Sequence, residues 1–437
     1  MRQVVSEGAL DTDEPKIVFI EKSGIINADL TIGADVTKAT SLTANAGLCS
    51  PGMKLHGDGF IINRDKAIEL GLGRLPGLER HIREYRNGRD LAARPRNVMV
   101  IDFFGLNAAS VRQTYPQAYQ HLLETVKPER DRNNRASYRE KWWQFGEPRR
   151  EIRPALDGIE RYIATVETSK HRIFQFLDAE VMPDNMLVTI ASDDAFHLGV
   201  LSSLPHVLWA LRAGGRQGVG NDPRYSKSRC FEPFPLPDTT TTLRAKIVSL
   251  AEELDATRKL VLAENSDLTL TGIYNMLDAA RSGSSLTSKE RELHRRGRIL
   301  ILKDLHEQID QAVMQAYGWA TTLTEDEILE RLVDLNLQRA SEERRGPYPL
   351  ATPGIPNRKN GAVGSSGRPY SITCDGTASK PKTTVFGRAK STGGSSPRFA
   401  QSKPVAADSD RDRKRIPGLQ PNRSTNSRGS GIAQPTG

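Results

Sequence analysis

Three cysteines in 437 residues, Cys49, Cys230 and Cys374, are too few and too scattered to support a covalent or metallic framework. No Cys-x-x-Cys pair occurs and no histidine stands at ligand spacing beside them, which excludes a disulfide scaffold and a structural zinc site. A reducing cytoplasm is the expected compartment. The sequence also lacks any run of about 18 apolar residues. Its first residues, MRQVVSEGALDTDEPK, have neither the basic start nor the apolar core of an export signal. No membrane contact is therefore expected. The motifs of common enzymes are missing too: there is no Gly-x-Ser-x-Gly elbow, Walker loop or His-Glu-x-x-His helix. His56, His171, His197 and His206 are dispersed, and Asp184 and Glu21 are not set out as a metal-nuclease core.

Positive charge is what the chain has in excess, with a formal net charge of +9 and a pI near 9.4. The excess sits at the end: the last ~90 residues hold roughly fifteen Lys and Arg against about four acidic residues, and the remainder is close to neutral. A basic tail alone would produce that pI, so a polyanionic partner has to be argued from local clusters on the folded body. An apolar share of 37% with mean hydropathy −0.50 fits a protein with a long polar portion and more than one core.

Along the chain, residues 1–28 hold one short apolar run, Ile17 to Ile20, read as an isolated strand left from a preceding domain. Between 28 and 96, glycines punctuate short apolar pieces, a pattern of brief strands and turns. The run VMVIDFF at 98–104 is apolar on both faces and predicts a central strand. A helix should start near Pro116 and stop before Pro128, with a second, polar helix over 135–143. HLGVLSSLPHVLWAL reads as a helix. Beyond Pro237, Leu243, Ile247, Leu250 and Leu254, then Leu302, Leu305, Ile309 and Val313, repeat at helical spacing. Thr287 with Glu290 and Thr324 with Glu327 are capping boxes. The fold class predicted is mixed α/β: short strands and helices over 29–238, an all-α segment over 239–345, and a disordered basic tail over 346–437, too polar to offset its ordering entropy.

Four clusters offer polar chemistry. HIREYRNGRDLAARPR gathers Arg83, Arg86, Arg89, Arg94 and Arg96 with Asn87; guanidinium suits phosphates and guanine edges, and Asn can pair with adenine. KPERDRNNRASYREKWWQFGEPRR gathers Arg130, Arg135, Arg139 and Lys141 with Trp142 and Trp143; the two tryptophans serve either base stacking or core anchoring. A Gly-rich stretch carries Arg216, Arg224, Tyr225, Ser226, Lys227 and Arg229, where freed backbone amides can approach phosphates. Finally Glu167, Thr168, Ser169, Lys170, His171 and Arg172 form a polar loop between two strand-like runs, with donors and acceptors suited to base edges. Each cluster read alone is equally a solvated surface or an ordinary loop.

Taken together, INADLTIGADV, PGLERHIREYRNGRDL, VIDFFGL, RYIATVETSKHRIFQFLD, HLGVLSSLPHVLWAL, RCFEPFPLPD, LTLTGIYNMLDAAR and DEILERLVDLN resemble the MmeI-like adenine-specific DNA methyltransferases. The resemblance implies a target-recognition domain at 29–238 and a helical C-terminal segment at 239–345. It implies double-stranded DNA as partner, with 169–172 touching bases and Tyr225 to Arg229 and the Trp142 region holding the backbone. An exocyclic-amine methyltransferase also needs a Gly-rich turn for S-adenosylmethionine and an Asn/Asp-Pro-Pro-aromatic loop. Gly57-Asp58-Gly59 and Gly71-Leu72-Gly73 read as turns, and Asn221-Asp222-Pro223-Arg224 lacks the second proline and the aromatic. No cofactor site is expected in this chain, and S-adenosylmethionine is expected in a missing catalytic domain. The implied role is DNA recognition within a restriction-modification system. A split methyltransferase completed by a separate methyltransferase chain and a non-enzymatic helical scaffold remain as alternatives.

Overall fold

Alternation of apolar and polar residues in the first half and helical spacing in the second lead to two different layers, as the computed structural model shows. It describes residues 2–8, 16–21, 26, 32–217, 222–283 and 287–346. The basic tail expected at 346–437 lies outside the described residues except for Gly346, as does most of 1–28. At the start, β1 (Arg2–Gly8) pairs antiparallel with β2 (Lys16–Glu21). The Ile17 run is thus one strand of a hairpin, not isolated. A local run cannot reveal a partner strand across a turn.

The following strands are β3 (Cys49–Pro51), β4 (Ile61–Ile62), β5 (Ile82–Arg86), β6 (Val98–Ile101), β7 (Arg161–Val166), β8 (Phe174–Asp178), β9 (Met182–Pro183) and β10 (Leu187–Ile190). They form two four-stranded sheets, β4-β6-β5-β9 and β3-β10-β7-β8. β6 is central, as its apolar faces require, with Val100 and Ile101 fully buried. β9 joins the first sheet and β10 the second, so the turn between them stitches the sheets together. That turn sits tightly on β3: a Cβ on Gly52 would lie 2.2 Å from the Asp184 carbonyl oxygen, so only glycine fits.

Seven short helices, α1 (Arg64–Glu69), α2 (Gly88–Ala92), α3 (Ala108–Thr114), α4 (Pro116–Thr125), α5 (Lys127–Asp131), α6 (Ala136–Glu140) and α7 (Arg153–Leu156), accompany these strands. α4 begins at Pro116 and α5 carries Pro128 in its first turn, where the missing N–H costs nothing. The polar helix expected over 135–143 is shorter. It ends at Glu140, and Lys141 leaves helical geometry (φ −114°, ψ 43°) so that the tryptophans can turn inward. HLGVLSSLPHVLWAL makes two helices, α8 (Ala195–Ser202) and α9 (Leu204–Ala213), because Pro205 cannot continue a helix but can open one. A small hairpin, β11 (Gly215–Gln217) and β12 (Asp222–Arg224), precedes a π-turn at Lys227–Phe231.

The helical segment consists of α10 (Thr241–Glu264), α11 (Leu270–Arg281), α12 (Ser288–Arg296), α13 (Ile299–Ala316) and α14 (Glu325–Arg345). Both predicted capping boxes are formed. Ile247, Leu250, Leu254, Leu302, Leu305, Ile309 and Val313 are buried, and they share one core with Phe196, Val200, Trp209 and Phe234 from the preceding α/β part. α10 approaches α8 over Gly199, where an added Cβ would meet Ile247 Cγ2 at 2.6 Å. No described helix is long and apolar enough to cross a membrane.

Candidate nucleic-acid interface

Main-chain hydrogen bonds bring three of the four polar clusters into one shelf. Asp184 N donates to Arg86 O (2.8 Å), which ties the end of β5 to the β9–β10 turn. Glu167 N donates to Met186 O (2.8 Å), joining that turn to the β7–β8 loop. Tyr225 N donates to Glu167 O (2.7 Å) and Ser169 N to Pro223 O (3.2 Å), adding β12 as the fourth member. Segments far apart in sequence thus present Arg86, Asn87, Arg89, Ser169, Lys170, His171, Arg224 and Ser226 side by side. Arg89, Lys170 and Arg224 are exposed, as are Arg216 and Arg229 nearby in sequence.

The shelf is ordered by its own charges. Arg224 donates through Nε to Glu167 Oε1 (2.8 Å), and its Nη2 lies 2.6 Å from the same oxygen. Lys227 faces Glu232 at 3.4 Å. Arg86 pairs with Glu84 (3.0 Å), and half-buried Arg83 donates to the carbonyls of Glu180 and Ala179. Asn87 does not present its side-chain oxygen outward. It caps α2, accepting from Arg89 N and Asp90 N (both 3.0 Å), while Asp90 accepts from Asn87 N and Arg96. Ser226 Oγ caps the π-turn, accepting from Arg229 N (3.3 Å).

Four expected contact residues belong to the interior. Arg172, 8% exposed, donates to the carbonyls of Val166 and Pro223 and stands over the Tyr225 ring at 5.2 Å; burial pulls its guanidinium below the usual value. Tyr225, 1% exposed, bonds His206 Nε2 (3.1 Å), and burial pushes its hydroxyl well up. Arg130 donates to Leu55 O (2.7 Å) and Gln144 O (3.0 Å) and lies against the Phe60 and Tyr138 rings, with its pKa lowered by burial. Trp142 packs edge-on to Tyr119 (5.3 Å), so the anchoring reading of this tryptophan holds and the stacking one does not. Burial removes all four from direct contact, and the physical reason is shared: long amphipathic side chains satisfy interior carbonyls or fill interior space as readily as they meet a ligand.

The remaining members of the second cluster form a separate basic group. Arg135 donates to Tyr138 Oη (2.9 Å), Arg139 to Asn133 O (2.6 Å), and Lys141 is exposed. Half-buried Trp143 is tied inward, its Nε1 donating to Leu106 O (3.0 Å). His56 joins this group unannounced by the sequence. Burial first, then Lys54, Arg130 and Arg135, lower its pKa, opposed by Glu147.

Two contributors escaped the sequence reading: the β9–β10 turn with exposed Met186, and α11, whose Asn275 accepts from Lys170 Nζ at 2.7 Å. Neither carries a cluster of cations; only the fold brings them to the loop. Both glycine patches lie in turns. Gly71 and Gly73, at φ 108° and 78°, lie in the turn after α1, and Gly57 leads into a single 3-10 turn, so neither links a strand to a helix as a cofactor turn does. Among the described residues no His, Cys, Asp and Glu group is arranged for a metal ion, and Cys49 and Cys230 are buried free thiols.

The α/β body thus gathers loops into one polar, cationic shelf and shares its core with the helical segment. Residues 36–238 match the family described as MmeI, target recognition domain, and this segment is a target-recognition domain of the MmeI type. The chain is 27% identical over 157 residues to DNA methyltransferase A of Bacillus subtilis (strain 168), a match covering 36% of this chain and 15% of that protein. It resembles the structure of the type IIL restriction-modification enzyme MmeI in complex with DNA, with TM-score 0.55 and 18% identity over 78% of this chain and 42% of that one. At that identity the likeness is one of fold. The matches span less than half the length of either relative.

Proposed function

We propose that this chain is the DNA-reading part of an adenine-specific methyltransferase of a restriction-modification system, acting on double-stranded DNA in the cytoplasm without transferring methyl groups by itself. The observation that carries the reading is the convergence of Arg89, Ser169, Lys170 and Arg224 on one hydrogen-bonded shelf within a segment of MmeI recognition type. The DNA in the solved relative supports DNA as the ligand. Exposed Arg and Lys at the shelf and in the Arg135 group pair with phosphates, and the 169–171 stretch meets base edges.

Fluorescence titration of the full chain with random and selected duplexes, at about 50 and 200 mM salt, tests the proposal: affinity falls by orders of magnitude across that range if several phosphates are neutralised. Arg89→Ala lowers affinity for all duplexes alike and flattens the salt slope by about one. Salt-independent or absent binding defeats the reading.

A second reading is that a separate methyltransferase chain supplies the S-adenosylmethionine site. Labelled methyl transfer to DNA that appears only when that partner is added supports it. Transfer by the purified chain alone refutes the claim of no independent activity.

A further inference from the structure

The β7–β8 loop does not owe its position to the recognition segment alone. Lys170 Nζ donates to Asn275 Oδ1 at 2.7 Å, and His171 Nε2 lies 2.9 Å from the same oxygen. His171 Nδ1 lies 3.4 Å from Asp278 Oδ2, and its ring leans on Tyr274 with centroids 5.9 Å apart. All three partners are on α11, beyond the matched segment, which ends at 238.

α11 is itself held rigidly against the sheet. Buried Arg258 of α10 donates to Phe174 O (2.8 Å) at the start of β8 and also to Tyr274 Oη, which is 2.8 Å from His306 Nε2 of α13. The polar chain from α13 through Tyr274 to β8 has its members fully or nearly buried. Such a network has few alternative arrangements, so α11 meets the loop in one register. The contact to Lys170, by contrast, is at the surface, where it contributes little to folding but decides, with the bonds to His171, where the Lys170 ammonium and the His171 ring point.

The geometry points to Asn275 as a positioning residue for base reading, with Asp278 beside it, so that the unit setting DNA specificity extends through α11. This rests on the reading of 169–171 as the base-contacting stretch. The consequence is that a recognition segment cut at 238 and moved elsewhere would carry the right loop residues without the surface that aims them.

The test uses the full chain as wild type, Asn275→Ala and Asn275→Asp, the last keeping the acceptor oxygen. Hydrogen exchange of the peptide covering 167–173 is followed without DNA. In parallel, each protein selects from a duplex pool with a randomised centre, and the selected duplex is titrated against poly(dI-dC). Asn275→Ala is expected to speed exchange in the loop and to lower the ratio of specific to nonspecific affinity by roughly tenfold, the scale of one lost base contact. Affinity for poly(dI-dC) and the melting temperature stay unchanged, and Asn275→Asp restores both loop readouts. Unaltered exchange and an unaltered ratio in Asn275→Ala overturn the inference. If the wild type retrieves no preferred sequence, the DNA-reading function fails, while the exchange measurement still decides whether α11 holds the loop.

Discussion

Arginine is the residue whose role the sequence leaves most open. Arg172 and Arg224 flank the same loop and read alike, yet one sits over Tyr225 in the interior and the other lies exposed beside Glu167. Five donors in a planar fork serve a carbonyl cage and a phosphate equally well, so burial alone separates the cases. Buried titratable groups also set a pH dependence. Burial depresses His206 to about 3 and holds His306 well below its usual 6.5, so both are neutral in the folded chain. Below 6.5 the unfolded chain takes up protons that the folded one refuses; stability is full above that pH and falls as the pH drops towards 3. Asp310 acts oppositely. Burial raises it from 3.8 to about 6, so the folded chain binds a proton the unfolded one does not between those values, and stability rises as pH falls through that window. Asp310→Asn, which retains an acceptor for Leu204 N, should therefore steepen the loss of stability between pH 6 and 4 by up to about 1.4 kcal/mol per pH unit. Urea unfolding of both proteins at several pH values measures it; parallel slopes count against the assignment.

At the scale of elements, the start of α14 was legible because its local code is complete. α14 has Thr324 as cap, Glu327 returning the bond, and a stripe of Ile328, Leu332 and Ala340 facing the core. α8 and α9 were not separable by apolar content, since both are apolar, and one proline in the run decided the break. The sheets depend on a contact that no periodicity encodes: the β9–β10 turn lies on Gly52, with Met53 N donating to Pro183 O (2.8 Å). Gly52→Ala forces its methyl against the Asp184 carbonyl, and backbone cannot swing aside as a side chain can. The expected cost is about 1–3 kcal/mol, the scale of overpacking, with faster exchange at Glu167, whose amide bonds that turn. Chemical denaturation together with exchange checks this; a variant as stable as wild type would show that the turn has room to yield.

For the molecule as a whole, the α/β part and the helices are joined through the interior. Trp209 and Phe234 are buried in the same cluster as Leu254, Ile309 and Leu332, and Arg94 reaches across to the carbonyls of Leu262, Asn265 and Leu268. Ending the chain at Asp238 would leave that apolar surface in water. A 36–238 fragment should bind a hydrophobic dye and unfold less cooperatively than the full chain. Cooperative melting of the fragment at the full chain's temperature would show that the shared core is dispensable.

The sequence by itself determined the class and the ingredients: strands then helices, the capped helix starts, the central strand at Val98, and the cationic clusters that resemble an MmeI-type reader. Those are encoded locally, in periodicity, caps and composition. Only the tertiary structure decided which cations remain on the surface, that Asn87 caps a helix, that Arg130, Trp142, Arg172 and Tyr225 are interior, and that α11 reaches the loop carrying Lys170. Each of these depends on pairing between residues tens to hundreds of positions apart, and burial, not residue type, assigns a guanidinium its task.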